Sequence, residues 1–196
     1  MSSCEKGCSC HPDATTEASV LRRLLLINAL MFGLELGLGW LAQSAGLIAD
    51  SLDMFADAAV YGLALHAVGR SSGNQLHAAR ASGWLQLLLA LGVLAEVLRR
   101  LVLGSEPEPP LMIGVAALAL LANLACLALL ARHREGGVHM RASWIFSTND
   151  VLANLGVIAA GLLVSWTGSG WPDLLIGAVI GLLVLNGARR ILQLRA

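Results

Sequence analysis

Asp50, Asp53 and Asp57 stand in the run LIADSLDMFADAAVYGLAL, whose other residues are almost all apolar. Their spacings of three and four residues put all three carboxylates on one face of a helix. A charged side chain at the centre of a bilayer costs about 2.5–3.5 kcal/mol on insertion scales. Three on one stripe therefore read as a cation site or an ion path. A second polar stripe follows in ASWIFSTNDVLANLGVIAAGLLV, where Ser143, Ser147, Asp150 and Asn154 recur at helical spacing. Ser143 and Ser147 suit hydrogen bonding between helices equally well. Asp150 needs a partner, and the Asp53/Asp57 face is the obvious one. Carboxylate and amide oxygens are hard ligands, and a divalent cation removes the cost of burying them. Two carboxylates four residues apart in a low dielectric also resist double ionisation, so a divalent cation would displace a shared proton and couple binding to proton release.

Other acids and soft ligands are candidates of lower rank. Asp50, one turn from Asp53, is either an entry ligand or a hydrogen-bonding group toward a neighbouring helix. Glu35 has no partner close in sequence and is a candidate for lining the path. Glu96 has Arg99 and Arg100 within one turn, which favours a structural ion pair. Cys4, Cys8, Cys10 and His11 offer soft ligands for zinc, copper(I) or cadmium, enough for one closed site that captures metal for the pore. The alternative is a flexible tail with redox-active thiols. Cys126, inside a hydrophobic segment, reads as a small packing residue.

These residues must be positioned by membrane helices. The chain has 196 residues, 57% hydrophobic and 13% charged, with mean hydropathy +0.72. A soluble domain is about 25% charged. The apolar mass is Leu, Ala, Val and Ile, as in helices rather than a barrel of short alternating strands. Zero net charge gives no reason to expect nucleic acid as a partner. Six apolar stretches reach the length of a membrane span: 24–43, 46–69, 82–103, 111–131, 143–165 and 173–192. A turn at Gln43, Ser44 and Gly46 separates the first two. SSGNQLHAARAS, GSEPEPP, RHREGGVHMR and TGSGWP read as the other connectors. The expected fold is all-α, a six-helix transmembrane bundle over residues 21–196 behind a flexible Cys-rich tail of residues 1–20. With the N-terminus inside, eleven Lys and Arg lie on the inner side against Arg99 and Arg100 on the outer, which puts both termini in the cytoplasm. No soluble C-terminal domain is expected in the chain. Two GxxxG pairs, Gly33/Gly37 and Gly177/Gly181, allow close helix packing within a protomer or between protomers.

The ADSLDMFAD pattern of the second segment, with the acid-bearing fifth segment, resembles the cation diffusion facilitator family over about residues 20–192. The resemblance implies six membrane helices, cytoplasmic termini, a homodimer, and export of zinc or related divalent metals in exchange for protons. It also implies a site built from a His/Asp-xxx-Asp pair on the second helix and another on the fifth. Asp53 and Asp57 match the first pair and Asp150 the last acid. Asn28, Glu35, Asn123 and Asp173 also look like family positions. The chain departs at Phe146, four residues before Asp150, because phenylalanine cannot bind a metal. The fourth ligand is then Asn154, Ser147, Asn149 or water. The resemblance puts Zn2+ first as cargo, and because an all-oxygen set is harder than zinc prefers, the list extends to Cd2+, Co2+, Ni2+, Fe2+ and Mn2+. The rival reading is a metal-sensing or scaffold membrane protein that keeps the fold without transport. No nucleophile–base pair or phosphate loop points to an enzyme.

Overall fold

The computed structural model describes residues 14–67, 72–131 and 138–193. Cys4, Cys8, Cys10 and His11 lie outside them. Six helices follow in order: α1 (Ala14–Leu41), α2 (Ala45–Ala67), α3 (Ser72–Leu103), α4 (Pro109–Ala131), α5 (Val138–Thr167) and α6 (Trp171–Leu192). A helix stands over each of the six expected stretches; each begins earlier than expected, while α1 ends two residues sooner. The largest correction concerns SSGNQLHAARAS, expected as a connector: α3 already begins at Ser72. Polar side chains end a stretch that suits lipid without ending a helix, and Gln, Leu, Ala and Arg are good helix formers. Likewise α5 begins at Val138, inside RHREGGVHMR.

Short connectors reverse the chain at each step, so neighbouring helices run antiparallel and the first and last helices have their free ends on one side. We call this the terminal end of the bundle and the other the hairpin end. Helix α2 packs against each of the other five helices and so runs through the middle of the bundle. The main core gathers on it, with Leu47, Ile48, Ala49 and Leu52 against Ala90, Val93, Met112, Val157, Ile180 and Val184. The outward faces are also apolar: Leu30, Leu98, Val102, Leu121 and Trp166 are exposed. In water such a surface drives association, whereas lipid tails accept it. Among the described residues, the segments Ala18–Leu41, Pro109–Ala131, Asp150–Thr167 and Trp171–Leu192 are long and apolar enough to cross a membrane. Helix α2 carries its three aspartates, and α3 carries Glu96, Arg99 and Arg100.

The turn into α2 is built with care. Gln43 takes a left-handed φ of 49° at the end of α1. Ser44 N–H returns to Gly39 O at 3.0 Å and Gln43 N–H to Trp40 O at 3.2 Å, the paired bonds of a Schellman ending. Ser44 then caps α2, its Oγ accepting Leu47 N–H at 3.1 Å. Ser44 Oγ–H donates to Asp173 Oδ1 at 2.6 Å, while Ala45 N–H and Gly46 N–H donate to Asp173 Oδ2 and Oδ1 at 2.6 and 3.0 Å. The free amides that open α2 are thereby satisfied by a carboxylate, the charge that a helix N-terminus favours. This clasp requires α6 to come close: a Cβ on Gly177 would stand 2.8 Å from the Ala45 carbonyl carbon. Gly177 and Gly181 thus pack within the chain, whereas Gly33 and Gly37 have no neighbour within 4 Å of a Cβ.

Candidate metal centre

The central position of α2 decides where its acids point. Asp57 is buried, and Tyr61 Oη–H, one turn further on, donates to its Oδ2 at 3.2 Å. Asp150 is buried on α5, and its carboxyl lies within hydrogen-bonding reach of both Asp53 and Asp57. The three expected acids therefore meet between α2 and α5. They line one cavity of ≈ 300 Å³ together with Gln86, Asn186 and Arg190. Arg190 and Ile191 belong to the last turns of α6, so the cavity reaches the terminal end of the bundle. The carboxyls are neighbours rather than a closed cage: among the described residues, no three His, Cys, Asp or Glu side chains are set to hold a metal ion.

The remaining candidates divide. Asn154 is fully buried one turn beyond Asp150, with Nδ2 donating to Asp150 O at 2.8 Å and Oδ1 unpartnered. It is not among the cavity-lining residues. Asp50 and Glu35 meet each other, away from the cavity. Ser147, Asn149 and Phe146 stand on α5, but their side chains lie outside the described residues. Glu96 holds Arg99 and Arg100, each at 2.7 Å, as the sequence implies. Cys126 packs with Val20, Leu24, Tyr61 and Leu130, and its Sγ accepts Asn28 Nδ2–H at 3.8 Å.

Sequence reasoning missed Gln86, Tyr61, Asn186 and Arg190. The signals for Gln86 and Tyr61 were present: Gln86 is a lone amide in WLQLLLALG, and Tyr61, the only tyrosine, stands four residues after Asp57. Gln86 is buried, and its Nε2 donates to Ala56 O at 3.4 Å, against the α2 backbone beside Asp57. Tyr61→Phe keeps the ring in its apolar cluster and removes the hydrogen bond to Asp57. Groups that orient a metal ligand are worth about 10–100-fold in metal affinity. With Asp57 as a metal ligand, the reading proposed below, calorimetric titration is expected to show zinc affinity lowered about tenfold, with the fold retained.

The cavity, lined by carboxylates of α2 and α5, opens at one end of a bundle of six helices, four of them long and apolar enough to cross a membrane. The chain belongs to the family described as the cation efflux transmembrane domain, which it matches over residues 21–193. It is 28% identical over 187 residues to the metal cation efflux system protein CzcD of Cupriavidus metallidurans, covering 89% of this chain and 58% of that protein. It is 29% identical over 189 residues to the zinc transporter ZitB of Escherichia coli, covering 88% and 60%. A third relative is the cadmium, cobalt and zinc/H(+)-K(+) antiporter of Bacillus subtilis, 23% identical over 190 residues and covering 90% and 61%. The chain thus spans about three fifths of the length of the curated relatives it matches. With its family and its apolar helices, it is a multi-pass membrane protein.

Proposed function

We propose that this chain exports a divalent metal cation, zinc or a related metal, in exchange for protons. The observation that carries this reading is the meeting of Asp53, Asp57 and Asp150 in one cavity of an apolar bundle. Two buried carboxyls, Asp57 and Asp150, and the half-buried Asp53, with no ion pair to them among the described residues, are stabilised by a cation, and their hard oxygens suit a divalent one. The relatives' names, which include zinc, cadmium and cobalt and in one case H(+), support the cargo class and the antiport. Asn154 Oδ1, one turn beyond Asp150, offers a further oxygen once the ion moves outward. The eleven-to-two bias of Lys and Arg sets the terminal end in the cytoplasm, so the cavity loads from inside. Residues 1–20 then form a Cys-bearing cytoplasmic tail, and residues 21–196 form the transport domain. A homodimer in lipid is the working unit.

The second reading, a sensor or scaffold of the same fold, rests on Phe146 at a position where the family pattern places a ligand. The experiment that separates the two is metal uptake into proteoliposomes under an imposed proton gradient, with Zn2+, Cd2+, Co2+, Ni2+, Fe2+ and Mn2+ in turn. Gradient-dependent uptake is expected for at least one of these ions. Well-folded protein that moves none of them sinks the transport reading.

A further inference from the structure

The bundle holds a second pair of acids that the cavity does not reach. Glu35 on α1 is 0% exposed and Asp50 on α2 is 1% exposed. Their carboxyls face each other across the two helices. Both oxygens of Glu35, and Oδ2 of Asp50, have no hydrogen-bond partner. The acids with structural roles look quite different. Asp173, equally buried, accepts three hydrogen bonds, and Glu96 is held by two arginines. Two carboxyls facing one another in a dry interior, with no other donor on three of their oxygens, can be satisfied only by what lies between them, a shared proton or a cation.

Their place in the fold favours the cation. Asp50 stands one turn from Asp53 toward the start of α2, and hence toward the hairpin end. Neither Asp50 nor Glu35 lines the cavity, which reaches the terminal end. An ion moving from the three aspartates toward the hairpin end passes along this face of α2. We propose that Glu35 and Asp50 form a second cation station, outboard of the three-aspartate site, which takes the divalent ion as it leaves. The proposal rests on the transport reading. Two carboxylates neutralise one divalent ion, and their oxygens are of the hard class that binds it.

The test is equilibrium titration of the full chain in lipid nanodiscs with Zn2+, comparing wild type, Glu35→Gln, Asp50→Asn and Asp57→Asn. Glu35→Gln and Asp50→Asn are each expected to bind one zinc fewer per chain than wild type. Zinc uptake by each is expected to fall about 10–100-fold. An unchanged zinc count in Glu35→Gln overturns the station, because the pair then holds a proton or nothing. Failure of the transport reading looks different: Asp57→Asn would leave both zinc count and uptake intact. Should both outboard variants misfold, a chain with Cys4, Cys8 and Cys10 replaced by Ser decides the matter. Two bound zinc ions support the station and one overturns it.

Discussion

Asp57→Asn is expected to abolish metal uptake, lowering it by more than about 100-fold. Loss of a mere supporting partner costs about 10–100-fold in metal affinity, and Asp57 is itself one of three carboxylates facing the cavity. The amide keeps the volume and shape of the carboxylate, and Tyr61 Oη–H still finds an oxygen to donate to. The fold therefore survives, and the loss is one of charge. Two carboxylates remain, with one ligand charge and one exchangeable proton fewer than in the wild type. Proteoliposome uptake at matched protein incorporation measures the effect, with the melting temperature as a control. Uptake within a few-fold of wild type would mean that the ion does not travel through this cavity.

Asp173→Ala is expected to produce the largest loss of stability of any single polar substitution in the described bundle. Removing one partner of a buried, charge-assisted network costs roughly 3–5 kcal/mol. Here it strands the Ser44 hydroxyl and the Ala45 and Gly46 amides at the start of α2. Because α2 touches all five other helices, the damage is not confined to one hairpin. Thermal unfolding in detergent should show a midpoint lowered by more than about 5 °C. Ser44→Ala, which removes the cap on Leu47 N–H and one hydrogen bond to Asp173, should cost only about 1 kcal/mol. An Asp173→Ala midpoint no lower than that of Ser44→Ala would refute the clasp.

Much of the bundle, and the meeting of Asp150 with the acids of α2, was legible in the sequence. The bilayer sets the length of a span, and three aspartates at helical spacing announce their face. Their partner Asp150 was legible for the same reason, since an intramembrane acid needs company. The start of α3 at Ser72 was not legible, because hydropathy reports where lipid ends and not where the helix does. Nor was the central position of α2, which follows from packing among six helices that look alike in composition. That position turns Tyr61 and Gln86 from ordinary core residues into neighbours of the site. Asp173 stood out only by resemblance, and its bonds to Ser44 and Gly46 span more than a hundred residues of sequence. No local pattern encodes such a contact.

The two ends of the bundle differ mechanically. At the hairpin end, the Asp173 clasp ties α6 to α2, Glu108 N–H donates to Ala42 O at 2.9 Å, and Glu106 N–H donates to the Gln43 side chain at 3.4 Å. At the other end lies a cavity flanked by the exposed side chains of Asn186 and Arg190. Such an object behaves as a clothes-peg whose spring is the clasp. Small rotations about the fastened end widen the free end most, so admitting an ion there disturbs few bonds. Opening the fastened end instead means separating a carboxylate from three donors at once. In the exporter proposed above, the outward swing would then be the slow stroke, its rate set by residues far from the ion.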